Sequence, residues 1–550
     1  MDFTDNPQIA LALDYLQNTG KNIFLTGKAG TGKTTFLHYI KKKAFKRMVV
    51  VAPTGVAAIN AGGMTIHSFF QLSFGPQVPG ASEEKNKTYK LRAKKIKLIR
   101  SLDLLVIDEI SMVRADLLDG IDRVLRRYRD KSKPFGGIQL LMIGDLHQLP
   151  PVVKDDEWRL LQAHYPSPYF FHSIALQETG MVSIPLKKIY RQVDEIFIAL
   201  LNKVRNNQMD EQELQQLNSR YRSELPADEE DYITLTAKNA PAHSINKQKL
   251  SALSGKSFVY KASIDGDFPQ HAYPTDENLE LKIGAQVMFI KNDLQMERRF
   301  YNGKIGRVVA MNEEGVRILC QGDSEPIWVE NMEWTNVKYD LNKQTKEVVE
   351  NVVGSFSQLP LKLAWAITIH KSQGLTFERV IIDAANAFAH GQTYVALSRC
   401  KSFEGIVLRS ELAFASVKTD TLVKQHSEAA ENNFPKKEDL QQAKREYQQS
   451  LILDLFDFKK IRIQFNILER LFLEHNLTIS EKALQNFLDT QNKVEKDLVA
   501  VAKKFIPQLQ GYFQQPPMPQ DNTELQNRLR KAAAYFYPRL RACWDFVFGD

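Results

Sequence analysis

Asn22-Ile-Phe-Leu-Thr-Gly27-Lys-Ala-Gly-Thr-Gly-Lys33-Thr34 is the stretch that decides the fold. An apolar run of strand composition ends in a turn matching G-x-x-x-x-G-K-[ST], and a helical pattern follows at once. Gly27, Gly30 and Gly32, with Ala29 and Thr31 between them, let backbone N–H groups approach phosphate oxygens closely. The N-terminus of the next helix favours negative charge there. Lys33 reaches the β- and γ-phosphates, Thr34 offers its hydroxyl to Mg²⁺, and Thr35 continues the first turn. Strand, loop and helix in this order predict a parallel α/β sheet that binds ATP.

Upstream, Asn6 reads as the cap of a helix over residues 7–17, with Pro7 at its first position. Downstream, Met48–Ala52, Leu104–Ile107 and Gln139–Ile143 are continuous apolar runs, as expected of parallel strands buried on both faces. The third strand, Leu104-Leu-Val-Ile-Asp108-Glu109, ends in two acids at the carboxyl edge of the sheet, where ligands bind in open α/β folds. Asp108 would be a second ligand for Mg²⁺, and Glu109 would take the proton of an attacking water. Phosphoryl transfer also asks for cations on the developing equatorial oxygens. Arg191 in IYRQ and Arg399 in ALSRC stand near the right strand ends, although a surface salt bridge accounts for either from local sequence alone.

Strand-like runs recur at Tyr232–Thr236, Val380–Ile382 and Gly405–Leu408. Between them Val287–Ile290, Ile305–Val309, Val316–Leu319 and Ile327–Val329 alternate with glycine turns, which predicts a small all-β insertion. From about residue 431 the chain reads as helical. Thr478 and Glu481 form a capping box there, and QQPPMPQDN (514–522) separates two helices.

Composition agrees with several domains and excludes other classes. The 550 residues are 43% hydrophobic and 25% charged, enough for sizeable cores. No apolar stretch approaches a membrane span, and MDFTDNPQ has no signal-peptide character. Cys320, Cys400 and Cys543 show neither metal-ligand nor disulfide spacing, so a reducing cytoplasm is the expected compartment. The net charge of +8 is modest, but Lys94, Lys95, Lys97 and Arg100 form one cluster, and Arg123, Arg126, Arg127, Arg129, Lys131 and Lys133 another. Both suit a phosphate-binding face or a solvated one.

The later motifs carry a family resemblance. PTGVAAINAGGMTIHSFF (53–70), IDEISMVRADLLDGID (107–122), IGDLHQLPPV (143–152), WAITIHKSQGLTFE (365–378) and QTYVALSRC (392–400) resemble, in order, the superfamily 1 DNA helicases. The similarity is greatest to the Pif-type (petite integration frequency) branch and its RecD-like relatives, and it covers about residues 5–425. It implies two RecA-like parallel-sheet domains, 1–180 and 181–285 with 357–430. A wedge insertion would lie at about 70–100, a β-barrel insertion at 286–356, and a helical extension of unassigned role at 431–550.

The resemblance also implies roles. Gln8 would read adenine, Gln148 would sense the γ-phosphate, and Gly374 and Glu378 would lie on the nucleotide side. Arg191 and Arg399 would be arginine fingers, and Lys33, Asp108 and Glu109 complete the catalytic set. Pro53, Thr54, Gly55, Thr65, His67, His370, Lys371 and Ser372 would grip the phosphates of a single strand. Phe69, Phe70 and Phe74 would stack on bases or belong to the core. Movement is expected 5′ to 3′ on single-stranded DNA, by a monomer that opens forks or structured DNA, G-quadruplexes included. A translocase that remodels nucleoprotein without unwinding is the competing expectation.

Overall fold

A computed structural model describes residues 6–28, 30–43, 46–73, 75–80, 91–190, 194–224, 232–293, 299–320, 322–342, 348–373, 375–383, 391–414, 420–474, 481–514 and 517–548. The chain forms two compact units, Met1–Leu13 with Lys21–Pro435, and Asp14–Gly20 with Lys436–Asp550.

The first unit opens with β1 (Ile23–Gly27), β2 (Met48–Ala52), β3 (Met64–Thr65), β4 (Leu104–Ile107), β5 (Gln139–Gly144) and β6 (Val182–Leu186). They make one parallel sheet in the order β3-β2-β4-β5-β1-β6. Every residue of β1, β4 and β5 is buried, which is why these strands read as unbroken apolar runs. β6 lies past the boundary at 180 drawn from sequence. Its Pro185 argues against a strand, yet an edge strand tolerates proline because one side of its ladder is unused.

The chain continues through β7 (Ile233–Thr236) into antiparallel strands. These are β8 (Phe258–Lys261), β9 (Ser263–Gly266), β10 (Asn278–Leu281), β11 (Gln286–Phe289), β12 (Ile305–Met311), β13 (Val316–Cys320), β14 (Ile327–Val329), β15 (Met332–Leu341), β16 (Val348–Gln358) and β17 (Leu361–Leu363). The chain then returns through β18 (Ala366–Thr368), β19 (Val380–Ile382) and β20 (Ile406–Leu408). β7, β18, β19 and β20 form a second parallel sheet, ordered β18-β7-β19-β20. The antiparallel strands group as β14-β13-β12-β11-β17, β15-β16-β9 and β10-β8, so the all-β stretch runs past both ends of 286–356. Of the expected wedge, residues 74 and 81–90, and with them Phe74, lie outside the described residues.

The last helix of this unit, Thr421–Asn432, packs on the first sheet's domain. Val423 enters its core, the His426 ring stacks on Phe171 at 4.3 Å, and Ser427 Oγ lies 3.0 Å from His147 Nε2.

The second unit is helical: Lys437–Asp454, Lys459–Glu474, Glu481–Lys493, a six-residue π-helical turn at Val494–Val499, Ala500–Phe513 and Thr523–Phe548. Phe456, Phe458, Phe465, Phe487, Phe505 and Phe536 fill its interior, as expected of a bundle with an aromatic core. Lys444 pairs with Asp14 at 2.7 Å. The proline-rich 514–522 segment does separate the last two helices. Residue 478 of the expected capping box lies outside the described residues.

Candidate active site and nucleic-acid interface

Each central strand of the first sheet delivers chemistry at its carboxyl end. After β1, the phosphate loop closes on itself: Lys33 Nζ donates to the carbonyl oxygens of Gly27 (2.7 Å) and Lys28 (3.0 Å). Gly30 and Gly32 take φ of +81° and +90°, conformations that a side chain would strain. Thr34 and Thr35 are exposed in the first turn of the Lys33–Lys43 helix, and Ala29 lies outside the described residues. Asn6 caps the Pro7–Asn18 helix by accepting from the backbone N–H of Gln8 (3.1 Å) and Ile9 (3.2 Å). Gln8 is thereby held, half-buried, at the helix start.

After β4 come Asp108 and Glu109. Both carboxyls are pushed above the usual carboxylate range, Asp108 by burial and Glu109 by burial and then by Asp108, while Lys33 pulls both the other way. Glu109 sits at φ +51°, a left-handed backbone uncommon for glutamate. Two half-buried acids facing one lysine are deficient in positive charge. Among the described residues no three His, Cys, Asp or Glu side chains converge as a metal cage. The Thr34 hydroxyl and the Asp108 carboxylate are hard oxygen donors of the kind that would suit Mg²⁺, a cation that keeps few protein ligands.

After β5 comes Asp145, completely buried. Its carboxylate accepts from the His147 backbone N–H (3.2 Å), from Gln148 Nε2 (3.2 Å) and from Arg205 Nη2 (3.5 Å). Burial alone would raise its pKa, but Arg205, then Lys33, hold it below the ordinary value. Gln148 is thus fixed by the strand that precedes it.

The second sheet supplies the opposing face. At the end of β18 the His370–Gln373 turn is tied down by Ser372 Oγ, which donates to Ile369 O (2.7 Å). Gln373 Nε2 donates to Glu109 Oε2 (2.8 Å) and lies 3.5 Å from Gln148 Oε1. Arg399 is 1% exposed. Its guanidinium donates to Val395 O (2.9 Å), Ser398 Oγ (3.0 Å) and Leu375 O (3.4 Å), and its charge also reaches Glu109. Glu378 is half-exposed and paired with Lys401. Gly374 and Arg191 lie outside the described residues, but Tyr190 beside Arg191 runs along the phosphate loop, its N–H donating to Gly30 O (2.9 Å).

On the expected DNA side, Pro53 and Thr54 precede the Gly55–Ala61 helix, which the Thr54 hydroxyl caps by accepting from Ala57 N (3.2 Å). Thr65 caps the Ile66–Phe70 helix in the same way through Ser68 N (3.3 Å), and His67 follows, its pKa lowered by burial and then by Arg114. His370 and Lys371 are exposed, whereas Ser372 is fully buried. Phe69 and Phe70 are core residues, at 0% and 1% exposure. Packed in the first domain's core, they leave no face for a base, and each contributes about 1.5–3 kcal/mol as buried apolar surface. The second basic cluster is partly structural. Arg126 pairs with Asp122 (2.8 Å) and Glu178 (2.6 Å), and Arg129 donates to the carbonyls of Ile99, Arg100 and Gly136.

The chain is similar to known families and solved structures. Residues 9–215 match the family model of PIF1-like helicases, 363–402 that of the UvrD-like helicase C-terminal domain, and 439–548 that of the DNA helicase middle domain. The ATP-dependent DNA helicase Pif1 of Campylobacter jejuni is 33% identical over 399 residues, which cover 69% of this chain and 86% of that protein. The chain belongs to the PIF1-like helicase family. Human ATP-dependent DNA helicase PIF1 is 36% identical over 403 residues, 70% of this chain, and the matched part spans 58% of the human protein. Among solved structures, unliganded Pif1 from Bacteroides sp superposes with a TM-score of 0.73 at 38% identity, over 78% of this chain and 98% of that one. The same Bacteroides helicase with ADP-AlF4 gives 0.73 at 39% identity over 78% and 98%. Membership agrees with two RecA-like parallel sheets, and the third family model reaches the helical extension that motifs alone had left unassigned.

Sequence reading missed Asp145, Arg205, Tyr190 and Gln373 as site residues. Asp145, Gln373 and Tyr190 all stand inside quoted segments, so a signal existed. Arg205 had none, because it ends an ordinary amphipathic helix, Glu195–Arg205.

Proposed function

We propose that this chain hydrolyses ATP to move 5′ to 3′ along single-stranded DNA and separates the duplex ahead of it. The observation that carries the reading is the convergence of Glu109, which feels the charge of Lys33, and Gln148 from the first sheet on Gln373 from the second. A nucleotide seated on the phosphate loop would lie between two halves that already exchange hydrogen bonds.

In this mechanism Gln8 reads the adenine edge and the loop amides hold the α- and β-phosphates. Mg²⁺, when bound by Thr34 and Asp108, neutralises charge on the β- and γ-phosphates. Glu109 accepts a proton from the attacking water as its oxygen bonds to the γ-phosphorus. The bond to the β-phosphate oxygen breaks, leaving ADP and phosphate. Arg191 and Arg399 stabilise the equatorial oxygens, worth about 10³–10⁵ in rate for an arginine finger. The Thr54 and Thr65 hydroxyls and the N–H groups of the helix starts they cap would grip DNA phosphates, and His370 and Lys371 would do so from the second sheet. Because grip runs through phosphates, movement is largely independent of sequence. Alternating closure about ATP would then advance the strand. Bacteroides Pif1 has been crystallised bound to single-stranded DNA, which supports this choice of track.

The test is ATP-dependent unwinding of two partial duplexes, one with a 5′ and one with a 3′ single-stranded tail, beside a Lys33→Ala control. Unwinding of the 5′-tailed substrate alone, abolished in the control, is expected. ATP hydrolysis stimulated by single strands without unwinding of either would replace the helicase reading with a translocase that remodels nucleoprotein.

A further inference from the structure

The Gln373 side chain, in the HKSQG turn, reaches out of the second sheet's domain. The turn itself is stiff: Ser372 N donates to Thr368 O (2.9 Å), Lys371 N to Thr368 Oγ1 (3.3 Å), and Leu375 N to Ser372 O (3.0 Å). From its tip the Gln373 carboxamide crosses to the first domain, 2.8 Å from Glu109 Oε2 and 3.5 Å from Gln148 Oε1. One amide nitrogen carries two hydrogens, so it can serve both acceptors at once. Gln373 also lines a cavity of about 60 Å³ shared with Asn60, Trp334, Lys362 and Lys371. One end of this residue therefore adjoins a lysine-lined space beside the expected strand-gripping segments, and the other touches the two groups expected to handle water and γ-phosphate.

We infer that Gln373 is a positioning residue that couples DNA occupancy to hydrolysis by setting the orientation of Glu109 and Gln148. The inference rests on the helicase reading above. Three features favour coupling over simple packing. The contact joins two domains, whereas the bonds that Lys371 N, Ser372 N, Ser372 Oγ and Gln373 N donate stay within one. Its partners are both polar side chains of the expected catalytic set. The donor also lies next to Ser372, so a strand held by His370 and Lys371 would move the same stiff turn. Glu109 itself has φ +51°, an uncommon backbone conformation of the kind that persists where its surroundings hold it.

The experiment measures steady-state ATP hydrolysis by the full chain, with and without oligothymidylate, for wild type, Gln373→Ala and Gln373→Glu. The glutamate variant keeps the length and loses the donor N–H. Both variants are expected to lower the DNA-stimulated kcat by about tenfold or more, with KM for ATP and half-saturating oligothymidylate within about twofold of wild type. Hydrolysis without DNA is expected to fall less than the stimulated rate, so that the ratio of the two drops. A stimulated kcat within about twofold of wild type in both variants would overturn the inference. So would a fall in kcat matched by an equal loss of oligothymidylate affinity, since Gln373 would then belong to the grip itself. A wild-type enzyme that oligothymidylate fails to stimulate would overturn the underlying helicase reading instead, and is seen before either variant is compared.

Discussion

The two parallel sheets of the first unit deliver reactive groups by different means. In the first, fully buried strands of four to six residues end at Gly27, Ile107 and Gly144, and polar groups begin directly after them. Phosphate loop, acid pair and Asp145 are thus fixed by strand ends and by charge pairing among themselves. In the second, β18, β19 and β20 have three residues each, and the expected functional residues ride on turns and a short helix. There Ser372, Ser398 and Arg399 are held by hydrogen bonds to neighbouring backbone carbonyls. The difference shows that a site can be rigid through its sheet or through local capping, and the two should fail differently.

Breaking the charge pairing at the first sheet gives the largest expected effect. Arg205→Ala leaves Asp145 buried without its nearest cation and should cost about 3–5 kcal/mol in chemical denaturation. Asp145→Asn keeps the shape without the charge and should cost less, about 1–3 kcal/mol. A loss below about 1 kcal/mol for Arg205→Ala would mean that the strand ends need no charge pairing, and the contrast with the second sheet would disappear.

The contact of the Thr421–Asn432 helix with the first domain predicts a pH dependence. Burial, reinforced by Arg205, lowers His147 from 6.5 to about 4, and burial, then His172, lowers His426 to about 4. Both rings therefore stay neutral in the folded chain while the unfolded chain takes up protons below 6.5. Stability is fully present above that value and falls as pH drops from 6.5 towards 4, by up to roughly 3 kcal/mol for each ring. Thermal denaturation across this window should show the slope, and His426→Phe, which keeps a ring against Phe171, should flatten it. An unchanged slope would detach this helix from the first sheet's electrostatics.

The smallest effect separates core from interface. Phe69→Leu should cost roughly 1 kcal/mol of stability and leave oligothymidylate affinity within about twofold. A stacking residue would instead lose about 1–3 kcal/mol of binding.

Much of the first sheet was legible because buried parallel strands have an unmistakable apolar run. Met48–Ala52 and Leu104–Ile107 fall where expected, and Gln139–Gly144 ends one residue later. β6 was not legible, since Pro185 is permitted only by its edge position. β15 and β16, ten and eleven residues of mixed polarity, were missed because neither alternates cleanly. Lys33, Asp108, Glu109 and Gln148 could be named from motifs because each follows a strand or lies in a turn of fixed chemistry.

Sequence by itself determined the phosphate loop, the acid pair and the order of motifs, because these depend on neighbours within a few residues. Only the tertiary structure decided that Phe69 and Phe70 face inward, that Arg205 neutralises Asp145 from sixty residues away, and that Gln373 reaches Glu109. Burial and long-range pairing are properties of the packed chain, and no local pattern encodes which acceptor a distant donor will meet.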